Sequence, residues 1–360
     1  MSSKRIIVFL VAFVLCFSGS LILLTSNQSN IQTALAEDVQ GADSGQLNYS
    51  DGTQYNGDIL FGRIRNGTGS YTWSTGESYE GTWENDAPSG TGKMVWPGLG
   101  VYEGEFAAGK RHGHGVFTWT YETDPVSGQP LSFDGDWAND KIGSSGTMTF
   151  ANLGVYEGEF ANGIRSGIGV FTWDNGDQYY GAWANDQIEG EGILTLADGT
   201  VLEGTFSKSI LTKGTATYAV DGGKATRDIL KGKTQATVQI AYDNGTVVSG
   251  KLNGEEFTGN VTITYASGDK YFGTLVSGFK SGKGTYTWSS GAHYVGEWSN
   301  DKMNGTGKYY YTSDETILYL TGSFVNGSPD GSLIYVSDNK LKYQTVWKNG
   351  DCTKITYKGK

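Results

Sequence analysis

Two histidines, His112 and His114, flank Gly113 in the run YEGEFAAGKRHGHGVFTW from Tyr102 to Trp119. At alternate positions of a strand they share one face, and with Glu103 or Glu105 they would offer imidazole and carboxylate to zinc. No third histidine lies near. Paired acids such as Glu103 and Glu105 have the make-up of a glycosidase dyad, but that chemistry needs one special pair in a cleft, and here such pairs recur unit after unit. G-x-G pairs recur too. A phosphate cradle needs a strand, a glycine turn and a following helix, and no helical pattern follows these. Asp and Asn beside Gly would suit calcium, yet neither the EF-hand spacing nor glycine-aspartate nonapeptides occur. The chain has no G-x-S-x-G and no Cys with a plausible His partner. The expectation is a non-enzyme with no catalytic residue, metal or cofactor.

The elements that carry these residues repeat. Units open at Tyr55, Tyr79, Tyr102, Phe133, Tyr156, Tyr179, Leu202, Ala225, Val248, Tyr271, Tyr294, Leu320 and Tyr343, mostly 23 residues apart, which makes 13 registers. A fixed period of this length means one supersecondary unit stacked many times. Four positions after each opening residue stands a large apolar one, among them Trp83, Phe106, Trp137, Phe160, Trp183 and Trp298. The second half of a unit carries G-x-G and then large residues at alternate positions. The pairs are Gly90 and Gly92, Gly113 and Gly115, Gly167 and Gly169, Gly282 and Gly284, and Gly305 and Gly307; Trp96, Trp119, Trp173 and Trp288 end the pattern. All 10 tryptophans fall on one of these two places.

Alternation at period two predicts strands. Tyr102, Gly104 and Phe106 then share a face with Gly113, Gly115, Phe117 and Trp119, and Glu103 and Glu105 point the other way. Asn175-Gly176, Asp198-Gly199 and Ser290-Gly291 are the residues that tight turns with positive φ demand. Each unit reads as one β-hairpin. A ring can lie flat over the bare backbone of a neighbouring Gly, as in aromatic rescue; hiding about 100 Å² of apolar surface this way gains roughly 2.5 kcal/mol before entropy. The glycines Gly81, Gly104 and Gly158 sit two places after their opening rings. The fold expected is all-β: a solenoid-like array of about 13 stacked β-hairpins forming one elongated twisted antiparallel sheet, on the order of 120 Å long at ~4.8 Å per strand.

The pattern Y-E-G-E-[FW]-x-x-G-K-x-H-G-x-G resembles the MORN repeat (membrane occupation and recognition nexus). Tyr102 to Gly115 matches nearly in full, and Tyr79, Tyr156, Tyr179, Tyr271 and Tyr294 open further copies. The resemblance implies a stacked-hairpin sheet and a scaffold for protein–protein interaction or self-association. It also brings phospholipid binding, long attached to these repeats, which occur in phosphatidylinositol phosphate kinases and junctophilins. No kinase domain is present here. A cell-envelope glycan binder is the alternative, because aromatic and glycine β-repeats also occur in choline-binding and wall-binding modules; only Tyr309-Tyr310-Tyr311 comes close to their clusters. The row of Tyr and Trp would receive a peptide, a second array or sugar rings.

Composition agrees with a repeat. The 360 residues include 55 Gly but 5 Pro, with 13% aromatics, too apolar for disorder. Lys4 and Arg5 precede an apolar run from Ile6 to Leu24, the form of an export signal, and the compact signal resembles that of a bacterial protein. Residues 1–36 are either a signal cleaved after Ala36, leaving an extracellular or envelope protein, or a retained transmembrane anchor in the cell membrane. Residues 37–50 read as a flexible spacer, 51–350 as the array and 351–360 as a C-terminal tail. Within the array 121–132 is an insertion, and 202–258 keeps the spacing but loses glycines, as at Arg227, Ala236 and Val238. Lys and Arg beyond the leader face 38 acidic residues, a net charge of −13, which repels nucleic acid and anionic headgroups. Cys352 is the one cysteine outside the leader, so no internal disulfide is expected.

Overall fold

The computed structural model describes residues 43–121 and 126–360; the apolar run Ile6–Leu24 and its cleavage site lie outside the described residues. Described residues form strands and no helix, so none is long and apolar enough to cross a membrane. The chain divides into two compact units, one reaching Ala197 with Thr205–Ile210 added, the other holding Asp198–Gly204 and Leu211–Lys360.

Unit one runs β1 (Asp43–Asn48), β2 (Gln54–Leu60), β3 (Ile64–Thr72), β4 (Ser78–Glu84), β5 (Ala87–Trp96), β6 (Gly100–Ala107) and β7 (Lys110–Trp119). It continues through β8 (Pro130–Ala138), β9 (Lys141–Phe150), β10 (Gly154–Ala161), β11 (Ile164–Trp173), β12 (Gln178–Ala184) and β13 (Gln187–Thr195). The division between units runs through β14 (Val201–Ser207) and β15 (Ile210–Val220). Unit two follows with β16 (Gly223–Leu230), β17 (Lys233–Tyr242), β18 (Val247–Asn253), β19 (Glu256–Thr264), β20 (Lys270–Val276), β21 (Phe279–Thr287) and β22 (His293–Ser299). It ends with β23 (Lys302–Tyr310), β24 (Tyr319–Val325), β25 (Ser328–Pro329), β26 (Gly331–Val336), β27 (Lys342–Lys348) and β28 (Asp351–Gly359).

From β1 to β13 each strand pairs antiparallel with the next, and in unit two so do β15 to β24 and β26 to β28, with β24 bonding both the short β25 and β26. This is the expected all-β array of hairpins. Two turn types alternate along it. Inside a repeat the turn has two residues, both at positive φ: Asn85 and Asp86 (49° and 70°), Asn185 and Asp186 (52° and 63°). That is the primed turn whose twist matches the strands. Between repeats the left-handed residue is mostly a glycine, as Gly176 (91°), which donates its N–H to Trp173 O at 2.9 Å, though Asn152 (49°) takes that conformation between β9 and β10.

Two boundaries differ from the sequence reading. Asp43–Asn48, inside the expected spacer, is β1, with Leu47 opposite Tyr55. Asp351–Gly359, the expected tail, is β28, with Thr345 opposite Ile355. A sheet end presents a ladder of unpaired N–H and C=O groups, and these polar strands satisfy it although neither carries a repeat signature. The insertion enters between β7 and β8, where Gly128 N–H donates to Ala151 O and Ala151 N–H to Gln129 O.

Candidate functional site: the repeat face

One face of each unit carries the rings. Tyr55, Tyr102, Tyr156, Tyr179, Tyr271 and Tyr294 are 0% exposed and Tyr79 1%. Trp83, Phe106, Trp137, Phe160, Trp183 and Trp298 are buried beside them in edge-to-face pairs, with Tyr102 and Trp137 centroids 5.3 Å apart. The strand register sets Gly104 opposite Gly115. Tyr102 lies across this pair, so that a methyl built on Gly115 would fall inside its hydroxyl and ring. Gly92, Gly169, Gly192, Gly284 and Gly307 meet their tyrosines in the same way. Each ring also spends its polar atom. Tyr102 Oη donates to Glu105 O at 3.0 Å, Tyr156 to Glu159 O at 2.9 Å and Tyr294 to Glu297 O at 3.1 Å. Indole N–H groups donate to the second glycine of the preceding unit: Trp83 to Gly69 O at 3.0 Å, Trp137 to Gly115 O at 2.9 Å, Trp298 to Gly284 O at 3.1 Å. Burial pushes the hydroxyl pKa of Tyr79, Tyr102, Tyr156, Tyr179, Tyr271 and Tyr294 up to about 12.

Units that lose the ring test this pairing from within. Where Ala225, Val248 and Leu320 replace the opening aromatic, the place of the second glycine is taken by Val238, Val261 and Leu333, exposed 0%, 1% and 1%. Ring and glycine are exchanged together, each side chain filling the volume the other vacates. Arg227, in place of a first glycine, donates Nε–H to Tyr218 Oη at 3.0 Å.

The two glycines of G-x-G, given one role above, have two. The first stands at a β-bulge and needs a left-handed backbone: Gly90, Gly113, Gly167, Gly282 and Gly305 have φ between 59° and 99°. Its bare Cα also leaves room for a carboxylate that caps the amide beside it. Glu105 accepts from His114 N–H at 3.0 Å, Glu159 from Ile168 at 3.1 Å, Glu297 from Thr306 at 3.0 Å and Asp58 from Thr68 at 2.7 Å. Glu105 is therefore a bulge cap, not merely a solvated charge like Glu103, which pairs with Lys93 at 2.7 Å.

Sequence reasoning also missed a clamp between units. Arg65, Arg111 and Arg165 each donate backbone N–H, Nε–H and a terminal NH2 to the second turn residue of the next unit, Asp86, Asp140 and Asp186; the Arg165 distances are 3.0, 3.1 and 3.0 Å. The guanidinium lies over that unit's tryptophan, 4.3 Å from the Trp83 and Trp137 centroids and 4.6 Å from Trp183. Lys280 does likewise with Asp301 and Trp298. The clamp alternates, so the structural period is two hairpins: one with Arg or Lys, then one with Trp and Asn-Asp. The signal was present in the sequence as Asn-Asp two residues after Trp83, Trp137, Trp183 and Trp298, the tryptophans four places into alternate units.

His112 and His114 are exposed, and His114 Nε2 lies 3.2 Å from Asp134 Oδ1. Among the described residues no group of three or more His, Cys, Asp or Glu is placed to hold a metal ion. Trp96, Trp119, Trp173 and Trp288 are half-buried at one margin of the ring face. In unit two this margin is a continuous row, Tyr265, Tyr286, Trp288, Tyr309, Tyr311, Tyr335, Tyr343 and Tyr357, with successive centroids 4.8 to 6.3 Å apart.

Bulged hairpins stacked through ring, glycine and clamp define a class, the hairpin-repeat proteins. The chain belongs to the MORN-repeat family: the MORN repeat matches residues 64–78, 79–100, 102–120, 133–155, 156–178, 179–201, 271–293 and 294–316. The matched segments omit the units that exchange ring and glycine together. No curated protein matches the chain. Among solved structures it is similar, at 13% identity, to the SAS-4 TCP domain of Drosophila melanogaster in complex with a proline-rich motif, over 53% of this chain and 84% of that one, TM-score 0.19. A streptogramin B lyase is similar at 13% identity, over 88% of this chain and 93% of that one, TM-score 0.14. At such scores neither carries an argument about this chain.

Proposed function

We propose that this protein is a non-enzymatic repeat scaffold, exported or membrane-tethered through residues 1–36, that docks protein partners on the half-exposed ring row of unit two. The observation that carries this reading is the division of the aromatics. The opening tyrosines and clamp tryptophans are consumed by their own sheet, whereas Tyr311 and Tyr357 keep 46% and 58% of their surface in water. Exposed aromatic rows anchor interfaces, since a few rings supply most of the affinity. Commitment of the recurring polar groups to internal bonds supports a structural role for them.

Capture by the full chain in non-ionic detergent, from the membrane and envelope fraction of its source, tests the reading. Tyr311→Ser with Tyr357→Ser is expected to weaken retention of the captured protein about tenfold, because two hot-spot rings are lost, at an unchanged melting temperature. Retention on purified wall polysaccharide, or flotation with acidic vesicles, in place of protein capture would replace it with the glycan or phospholipid reading. Hydrolytic activity abolished by one point substitution would overturn it.

A further inference from the structure

Charge is divided unevenly along the chain. Residues 43–197 carry 21 acidic and 7 basic side chains, and residues 198–360 carry 15 and 18. Glu80 (β4), Glu103 (β6), Asp134 (β8) and Glu157 (β10) are exposed on the face opposite the rings in unit one, one on every second strand. The bulge caps Asp58, Glu105 and Glu159 add to the same field. In unit two the same face carries Lys224 (β16) and Lys270 (β20), each one residue before its opening position, and Lys251 (β18), three residues after its own, all exposed. Lys283 follows on β21, beside Glu297 in the register.

We propose that the chain self-associates by setting the acidic face of unit one against the lysine face of unit two in a second copy; this rests on the scaffold reading and adds a second copy as a partner on the face opposite the ring row. Complementary charge is one ground. Pitch is the other: both sets recur on every second strand, about 9.6 Å apart across the sheet. Lys224 and Lys270, at the same place in their units and two pitches apart, can therefore meet two acids that are two pitches apart, such as Glu80 and Asp134, which a headgroup layer does not do. Contacts of this kind steer encounter and fix register, and weaken with salt.

Sedimentation of the full chain in non-ionic detergent tests this. Raising ionic strength from about 0.05 M to about 0.5 M is expected to weaken association about tenfold or more. One variant set, Glu80→Lys with Glu157→Lys, and a second, Lys224→Glu, Lys251→Glu and Lys270→Glu, should each weaken it about tenfold at low salt. Mixed together they should associate again to within about threefold of the wild type, because the first keeps its lysine face and the second its acidic face. A wild type that is monomeric at low salt, reversal sets without effect, or a mixture that stays apart although both variants melt as the wild type does would each overturn the proposal. A monomer that instead floats with phosphatidylserine vesicles also overturns it, assigning the lysines to lipid. A monomer that still captures an envelope protein overturns this inference and leaves the scaffold reading standing; failure of both overturns both.

Discussion

At the scale of single residues the fold rests on which side chains lie on which face. Trp183 is buried over Arg165 and Tyr179, and Trp183→Ala is expected to cost about 3–5 kcal/mol as a large-to-small core change. Glu103 is exposed and holds only Lys93, so Glu103→Ala should cost less than about 0.5 kcal/mol. Equal losses in urea denaturation would contradict the assignment of faces. The tyrosines give a second test. Their folded pKa of about 12 exceeds the ordinary value of 10.0, so stability is fully present below pH 10.0 and is lost as pH rises towards about 12. Absorbance titration should show these hydroxyls ionising late, together with loss of the β-sheet signal. Ionisation near pH 10 with the sheet intact would contradict their burial.

At the scale of the hairpin, what was legible in the sequence was what recurs from unit to unit: the large residue four places on in all of them, the opening ring and G-x-G in most. The bulge was not, because a register shift leaves no alternation signal and both glycines look alike as letters. The clamp was missed because its partners, Arg165 and Asp186, sit in different units and recur in alternate ones. Asp186→Ala leaves a guanidinium that is largely buried without its partner, and should cost about 1–3 kcal/mol. Arg165→Met with Asp186→Ala should recover part of that loss, since the unpaired charge is gone. A double variant less stable than the single would contradict the clamp's electrostatic part. The two-hairpin period makes a sharper claim. Deleting 133–178 removes one Trp hairpin and one Arg hairpin and brings Arg111 up to Asp186, whereas deleting 156–178 takes Arg165 away and leaves Asp186 unclamped. The longer deletion should melt closer to the wild type; the reverse order would contradict the alternation.

At the scale of the whole molecule, both units obey one rule, that a ring and the glycine beneath it are a single packing device. Both ends were misread as spacer and tail because β1 and β28 are specified by the sheet edge they complete, not by any pattern of their own. Partner choice was no more legible, since charge was read as a total and the division between the two units disappears in a sum. The rule itself is tested most directly by a double-mutant cycle on global unfolding with Gly115→Ala and Tyr102→Ala. The account predicts that the methyl at Gly115 costs about 2 kcal/mol or more under Tyr102 and less than about 0.5 kcal/mol once the ring is removed, a coupling well beyond additivity. Losses that simply add would show that ring and bare backbone do not hold each other in place.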